Sequence, residues 1–300
     1  MLLESVWAQA VELRRLLGRL CDPAVERVAA ELGLNGPGWA LLRRAYLAVP
    51  QPVSASRLSA LNPGVNPWIY EAGLQHLAAL GLLAGVEDGA YVVTPAGQSA
   101  ATSILYALDT RLRELAPLAP EPLERLAELL AALVSASLLA PEPPRKTLLR
   151  LSHAPSAAGP LEASVRLDQA LSDLAAYHED AHLAAWQPHM VSGQAWDALS
   201  ALWRGTPGTL DGVYARLARR GWPRDAVARA LQELVRRDWV AGPEPHTLTP
   251  QGRAVRERAE AQTNTYFFAP WSVLDARAIK ELGTLAELIQ MKLLAAEAQV

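Results

Sequence analysis

Residues Trp196–Arg258 read WDALSALWRGTPGTLDGVYARLARRGWPRDAVARALQELVRRDWVAGPEPHTLTPQGRAVRER. Apolar positions recur at helical spacing three times, a short β-wing follows, and a fourth helical run begins after Thr249-Pro250. That order, three helices, a wing and a further helix, is the plan of a winged helix-turn-helix unit.

An earlier stretch repeats the plan. Adding 157 to Trp39, Leu42, Tyr46, Leu74, Gln75 and Leu77 gives Trp196, Leu199, Trp203, Leu231, Gln232 and Leu234. Past the third helix the offset falls to 155, where Thr94-Pro95-Ala96-Gly97 matches Thr249-Pro250-Gln251-Gly252, so the second wing is shorter by two residues. Loop tips accept such a change. In both copies the threonine is placed to cap the next helix, and proline at the first helical position gives up no bond. Duplication is the expected origin, and the fold class expected is mainly α: tandem winged helix-turn-helix domains with small β-wings, joined by helices and a Pro/Ala-rich linker.

Composition agrees with helices. Of 300 residues 51% are hydrophobic, enough for a sizeable core, and only two are Phe. The net charge of −3 supplies no overall attraction to nucleic acid or to an anionic membrane, so any such attraction must be local. Cys21 is the single cysteine, which excludes an internal disulfide and a Cys-rich metal site. The apolar run Leu129–Ala140 is too short to span a bilayer, and the first turn carries Glu4 rather than a basic signal. A cytoplasmic protein is expected, with no membrane partner and no cofactor.

In chain order the expected parts are an N-terminal helical segment (1–35), a first winged-helix domain (36–103), connecting helices (104–140), a linker (141–163), a helix bearing two histidines (164–195), a second winged-helix domain (196–270) and a C-terminal helix (271–300). Within the linker, Lys146–Leu151 fits a short strand. Two apolar seams stand out: Leu3, Val6, Ala10, Leu13, Leu17 and Leu20 on a first helix ending near Leu20, and Ile279, Leu282, Leu285, Ile289 and Leu293 on the last. They serve either packing within the chain or a homodimer, and a dimer through these terminal helices is the expectation. The aromatic run Tyr266–Trp271 is expected in the core rather than stacked on bases.

One motif carries chemistry. His178-Glu179-Asp180-Ala181-His182 satisfies H-E-x-x-H, in which two imidazoles one helical turn apart hold zinc and the Glu acts as general base. A metalloprotease needs a third ligand. His189 lies seven residues beyond His182 rather than six, Ala185 stands where metzincins carry Gly, and no well-placed Glu follows. No catalytic or metal-ligating residue is therefore assigned. Two readings stay open: a pair of helix histidines satisfied by hydrogen bonds at a domain contact, or a small-molecule pocket lined by His178, His182 and Trp186.

The run Tyr177–Trp186, with Arg220-Gly221-Trp222, Leu248–Ala254 and Ala269-Pro270-Trp271, resembles the SalK-like helix-turn-helix proteins of actinobacteria and related bacteria. That family's D-x-H element, RGW-type turn, LT-x-x-G-R-A helix start and APW segment correspond here to Asp180 with His182 and the runs just quoted. The resemblance covers about the second half of the chain and implies a winged-helix fold more than a particular activity. The first half departs from the family's pattern.

Cations concentrate in the second unit. Between Trp196 and Pro270 eleven arginines face eight acids, a local excess of three positive charges in an otherwise acidic chain. On its third helix Val227, Leu231, Leu234 and Val235 should point inward and Asp225, Arg229, Gln232 and Arg236 outward. Arg and Gln can address base edges, so DNA contacts are expected from Arg216, Arg219, Arg220, Arg224, Arg229, Gln232, Arg236 and Arg253. The first unit shows no such grip: Glu71 and Gln75 lie on its third helix's outer face, without Lys or Arg. The function expected is a DNA-binding transcription regulator, with a small-molecule effector near His178 and His182. The alternatives are a ligand or protein-interaction module that kept the fold without DNA, and a zinc-dependent hydrolase.

Overall fold

The computed structural model describes residues 2–115, 120–154 and 162–297. These residues are mainly helical, with thirteen α-helices and only two small antiparallel sheets. A long helix α1 (Leu2–Glu31) leads into α2 (Gly36–Leu47), α3 (Ala55–Leu61), α4 (Pro67–Ala79), a hairpin of β1 (Leu83–Gly85) and β2 (Tyr91–Val93), and α5 (Pro95–Glu114). After α6 (Pro120–Leu139), α7 (Thr147–His153) and α8 (Ala163–Trp186) the same order returns. It runs α9 (Gly193–Trp203), α10 (Leu210–Leu217), α11 (Arg224–Arg236), β3 (Val240–Ala241), β4 (Thr247–Leu248) and α12 (Pro250–Phe268), and α13 (Ala276–Glu297) closes the described chain.

Local chemistry sets these boundaries. Asn35, Ser54, Asn66, Ser192 and Thr209 each accept a backbone N–H in the first turn of the helix that follows, which satisfies a donor the helix itself leaves orphaned. The two hairpins end in matching geometry. Thr94 Oγ1 accepts from Gly97 N and Thr249 Oγ1 from Gly252 N, both at 3.0 Å. The same hydroxyls donate to Gly81 O at 2.7 Å and Asp238 O at 2.6 Å. Glycine is required just beyond, because a Cβ on Gly97 would lie 2.0 Å from Leu82 O and one on Gly252 1.9 Å from Trp239 O. The helix start passes directly over the residue that leads into the hairpin.

Three apolar clusters hold the molecule. One lies among α2 to α5 and takes in Val25 and Ala29 of α1. A second lies among α9 to α12 around Trp196, Leu199, Val227 and Leu231. The third joins α1, α6, α8 and α13, with Leu13, Leu130, Leu174, Phe267, Trp271 and Leu282 all buried. Phe267 and Trp271 are thus core aromatics, as expected from the sequence.

The third cluster corrects the expectation of a homodimer through the terminal helices. Leu13 and Leu17 of α1 and Leu282, Ile289 and Leu293 of α13 are buried in one intrachain core, so these seam residues are spent on packing within the chain. Three smaller corrections follow. The first helix does not stop near Leu20 but runs to Glu31 with Pro23 inside it, since Val25 and Ala29 anchor its end in the first unit's core. Lys146–Leu151 is not a strand. It enters α7, whose N-terminal amides Leu148 N and Leu149 N donate to Asp180 at 3.1 and 2.9 Å. Val235, expected inside, is exposed. Of the expected linker, 155–161 lie outside the described residues.

Candidate nucleic-acid interface and an adjoining polar cavity

Helix α11 has two unlike sides. Ala226, Val227, Ala230, Leu231 and Leu234 are buried against α9 and α10, while Asp225, Arg229, Gln232 and Arg236 lie exposed along the opposite side at helical spacing. Glu233 sits between the two sides and accepts from Ser192 N at 3.2 Å and Ser192 Oγ at 2.6 Å. Arg237 bonds Glu233 and the carbonyls of His189 and Met190. Those bonds hold the helix by its flank and leave the outer strip open.

The residues expected to meet DNA divide into three groups. Arg229 and Gln232 share the outer strip with Arg236, but Arg229 already donates to Asp225 at 2.6 Å. Arg216, Arg219, Arg236 and Arg253 are exposed and make no ion pair with a described residue. Arg224 pairs with Asp211, and Arg220 with Asp197 at 3.1 Å. Arg220 is turned toward the first unit instead of the outer strip. Its carbonyl accepts from Asn66 N at 2.9 Å, and the next carbonyl, Gly221 O, accepts from Asn66 Nδ2 at 2.8 Å. Trp222 Nε1 closes the contact by donating to Gly64 O at 2.6 Å. The turn before α4 and the turn before α11 therefore dock on each other. The wing tip is tied down too: His246 N donates to Gly208 O and Leu210 N to Glu244.

Behind the docked turns lies a cavity of about 210 Å³ between α8, α9, α12 and the Asn62–Gly64 turn. His178, His182 and Trp186 line it, so the three residues singled out as a pocket stand together. The histidines differ in role. His178 lies against Trp7 (ring centroids 6.0 Å) and meets the edge of Phe267 (5.0 Å), and burial lowers its pKa. His182 is held at both nitrogens. Trp196 Nε1 donates to its Nε2 at 3.3 Å, and its Nδ1 lies 3.4 Å from Thr263 Oγ1, whose own hydrogen goes to Ala259 O. This fixes the neutral tautomer with the proton on Nδ1. Burial, reinforced by the Arg256 charge, pushes its pKa down to about 4.

With Nε2 occupied by the indole N–H and Nδ1 protonated, His182 offers no lone pair to a metal. Among the described residues no group of three or more His, Cys, Asp and Glu is placed to hold one. Asp180, the first residue of the D-x-H element, is spent on α7 as its N-terminal acceptor, and burial raises its pKa to about 6 against the pull of the amides.

Residues 154–299 match a helix-turn-helix family. The second half of the chain thus carries a helix-turn-helix region, and that region contains α8, the docked turn and the whole of α11. No curated protein and no solved structure matches the chain. No described helix is long and apolar enough to cross a membrane.

Sequence reasoning missed the charged wall of the cavity. Arg256 is buried in the helix-turn-helix region. Its Nε donates to Ser200 Oγ at 3.2 Å, its Nη1 to Glu260 at 2.6 Å, and its guanidinium stacks 4.6 Å from the Trp203 ring. Arg256 and Glu260 are four apart, the signature of an ordinary surface pair, and the local signal hides their burial. Arg204, Asp197 and Glu179 also line the cavity, and only the meeting of α8 with the α9 end reveals them together.

Proposed function

We propose that residues 36–103 and 196–270 are two winged helix-turn-helix domains, related by duplication, and that the second is the DNA-binding domain of a SalK-like regulator. The observation that carries the proposal is the exposed strip of α11 inside a region matching a helix-turn-helix family. In such units the helix after the turn enters the major groove with its outer side chains at base edges. Arg229 and Gln232 suit guanine and adenine edges, and Arg219, Arg236 and Arg253 suit phosphates. Arg220 falls outside this set, because its charge is committed to Asp197 and its carbonyl to Asn66. The first unit serves as a brace that fixes the turn ahead of α11, and its own α4 contributes no cation. A small-molecule site beside His178 and His182 belongs to the same reading.

Selection of duplexes from a random library, followed by anisotropy titration, tests this reading. A recovered sequence preference should be lost in Arg229→Ala at a cost of roughly 1–3 kcal/mol. Asp225→Asn should strengthen binding, because it frees Arg229 and removes a carboxylate from the strip. Enrichment of no sequence, together with weak binding unaffected by either substitution, would return α11 to a solvated helix face.

A further inference from the structure

We propose that the cavity between α8, α9 and the Asn62–Gly64 turn is a binding site for a small zwitterion of the amino-acid type. Its carboxylate would lie on Arg204 and its ammonium between Glu179 and Asp197.

The argument starts from charge. Three cations and three carboxylates line the cavity: Arg204, Arg220 and Arg256 against Glu179, Asp197 and Glu260. The two histidines add no charge at neutral pH, since burial lowers both pKa values. A net anion or cation would unbalance this lining, whereas a zwitterion would not. Pairing then narrows the chemistry. Arg256 is committed to Glu260 at 2.6 Å and Arg220 to Asp197 at 3.1 Å. The side chains of Arg204 and Glu179 make no ion pair or hydrogen bond with a described residue, and Arg204 bonds through its backbone N–H to Ser200 O.

One uncommitted cation and one uncommitted carboxylate therefore stand on the same cavity, on different helices, without closing on each other. A third, only partly satisfied acceptor lies deeper. Asp197 Oδ2 is buried, and the ion pair with Arg220 at 3.1 Å reaches it without a well-aligned hydrogen bond. Buried acceptors are ordinarily paired, so an ammonium donor aimed there would satisfy a standing deficit. An α-ammonium and α-carboxylate carry opposite signs on one small molecule, and the lining offers one uncommitted side chain of each complementary sign. The volume suits a small member of the class: about 210 Å³ is roughly seven waters' share of liquid. The site stands whether or not α11 meets DNA.

Calorimetric titration of the full chain at neutral pH tests the assignment, using the amino acids from glycine up to glutamine in size. Propionate and propylamine serve as its two halves. The expected result is that at least one zwitterion binds, with a Kd at least about tenfold below that of either half. Arg204→Gln and Glu179→Gln should each weaken it by about tenfold or more, while Arg277→Gln, exposed on α13 and outside the cavity, should not. Both positions are exposed at the cavity mouth, so these variants should keep the wild-type circular dichroism and unfolding midpoint. Absence of binding by every zwitterion up to about 10 mM would overturn the proposal. So would binding of propionate or propylamine as tight as that of the zwitterion, or binding indifferent to Arg204 and Glu179.

Discussion

Replacing Gly193 by alanine should separate the two docked turns, and the chain supplies its own control. Gly193 is the first residue of α9, behind the Ser192 cap, and Gly36 is the first residue of α2, behind the Asn35 cap. The two are 157 apart, so they hold the same place in their units. Their surroundings are opposite. A Cβ on Gly193 would lie 2.0 Å from Pro63 O and 2.4 Å from Pro63 C, whereas one on Gly36 meets nothing within 4 Å. Ordinary contact begins at 3.4 Å, so the Pro63 turn must retreat by about 1.4 Å. Such a retreat stretches Trp222 Nε1–Gly64 O from 2.6 Å, and with it the two Asn66 bonds to Arg220 and Gly221, beyond hydrogen-bond range. Three bonds at about 1 kcal/mol each amount to about 3 kcal/mol. Alanine in place of glycine in a helix returns up to about 1 kcal/mol. Gly193→Ala should therefore destabilise the protein by about 2 kcal/mol net. Gly36→Ala should be neutral or stabilising by up to about 1 kcal/mol. Urea unfolding of the two variants beside wild type, followed by circular dichroism and by tryptophan fluorescence, measures both. If Gly193→Ala moves the midpoint as little as Gly36→Ala does, the turns do not dock through Pro63.

Three further outcomes follow from the same geometry. His182 titrates lower in the folded chain, about 4 against 6.5, so between those values the unfolded chain binds more protons. Its stabilising contribution is whole above pH 6.5 and is lost as pH falls through about 4. The stability of wild type relative to His182→Gln should thus drop by roughly 3 kcal/mol from neutral pH to pH 4, and a pH-independent difference would contradict the buried neutral imidazole. Gly97→Ala and Gly252→Ala, each thrust onto a backbone carbonyl about 2 Å away, should cost a similar amount, about 3 kcal/mol by chemical denaturation, and a large gap between them would break the parallel of the two hairpins. Leu282→Asp should cost several kcal/mol, roughly 3–5, by placing a carboxylate in the helical core, while sedimentation shows the same mass as wild type; a folded variant that merely loses a partner would restore α13 as a dimer surface.

Much of the architecture was legible because local signals agree with the tertiary arrangement. The constant offset between Trp39 and Trp196 or Leu77 and Leu234, and the repeated Thr-Pro-x-Gly, locate both helical triplets and both hairpin ends from residue spacing alone. What escaped depends on contacts distant in sequence. Helix α7 has no capping side chain of its own, and Asp180, more than thirty residues later, accepts its first amides. Seven residues with Leu148, Leu149 and Leu151 fit either period. The docking of the turns rests on Gly64, Gly193 and Gly221, which in sequence look like ordinary turn and cap glycines. Of the candidate site, the α11 strip was readable from its period. The cavity was half readable: His178 and His182 announce themselves by spacing, whereas Arg204, Arg256 and Asp197 are brought to them only by the packing of α8 on α9 and α12.

The salt dependence of DNA binding tests the central claim most directly. Across a series of salt concentrations, log affinity should fall linearly with log salt, because arginines around α11 displace counterions from phosphates. Arg219→Ala should lower the magnitude of that slope by about one on every sequence. Arg229→Ala should leave the slope nearly intact while costing roughly 1–3 kcal/mol on the preferred site alone, and Gln75→Ala in the first unit should change neither. No measurable affinity at about 50 mM salt, or a slope that Arg219→Ala leaves unchanged, would contradict DNA recognition by α11.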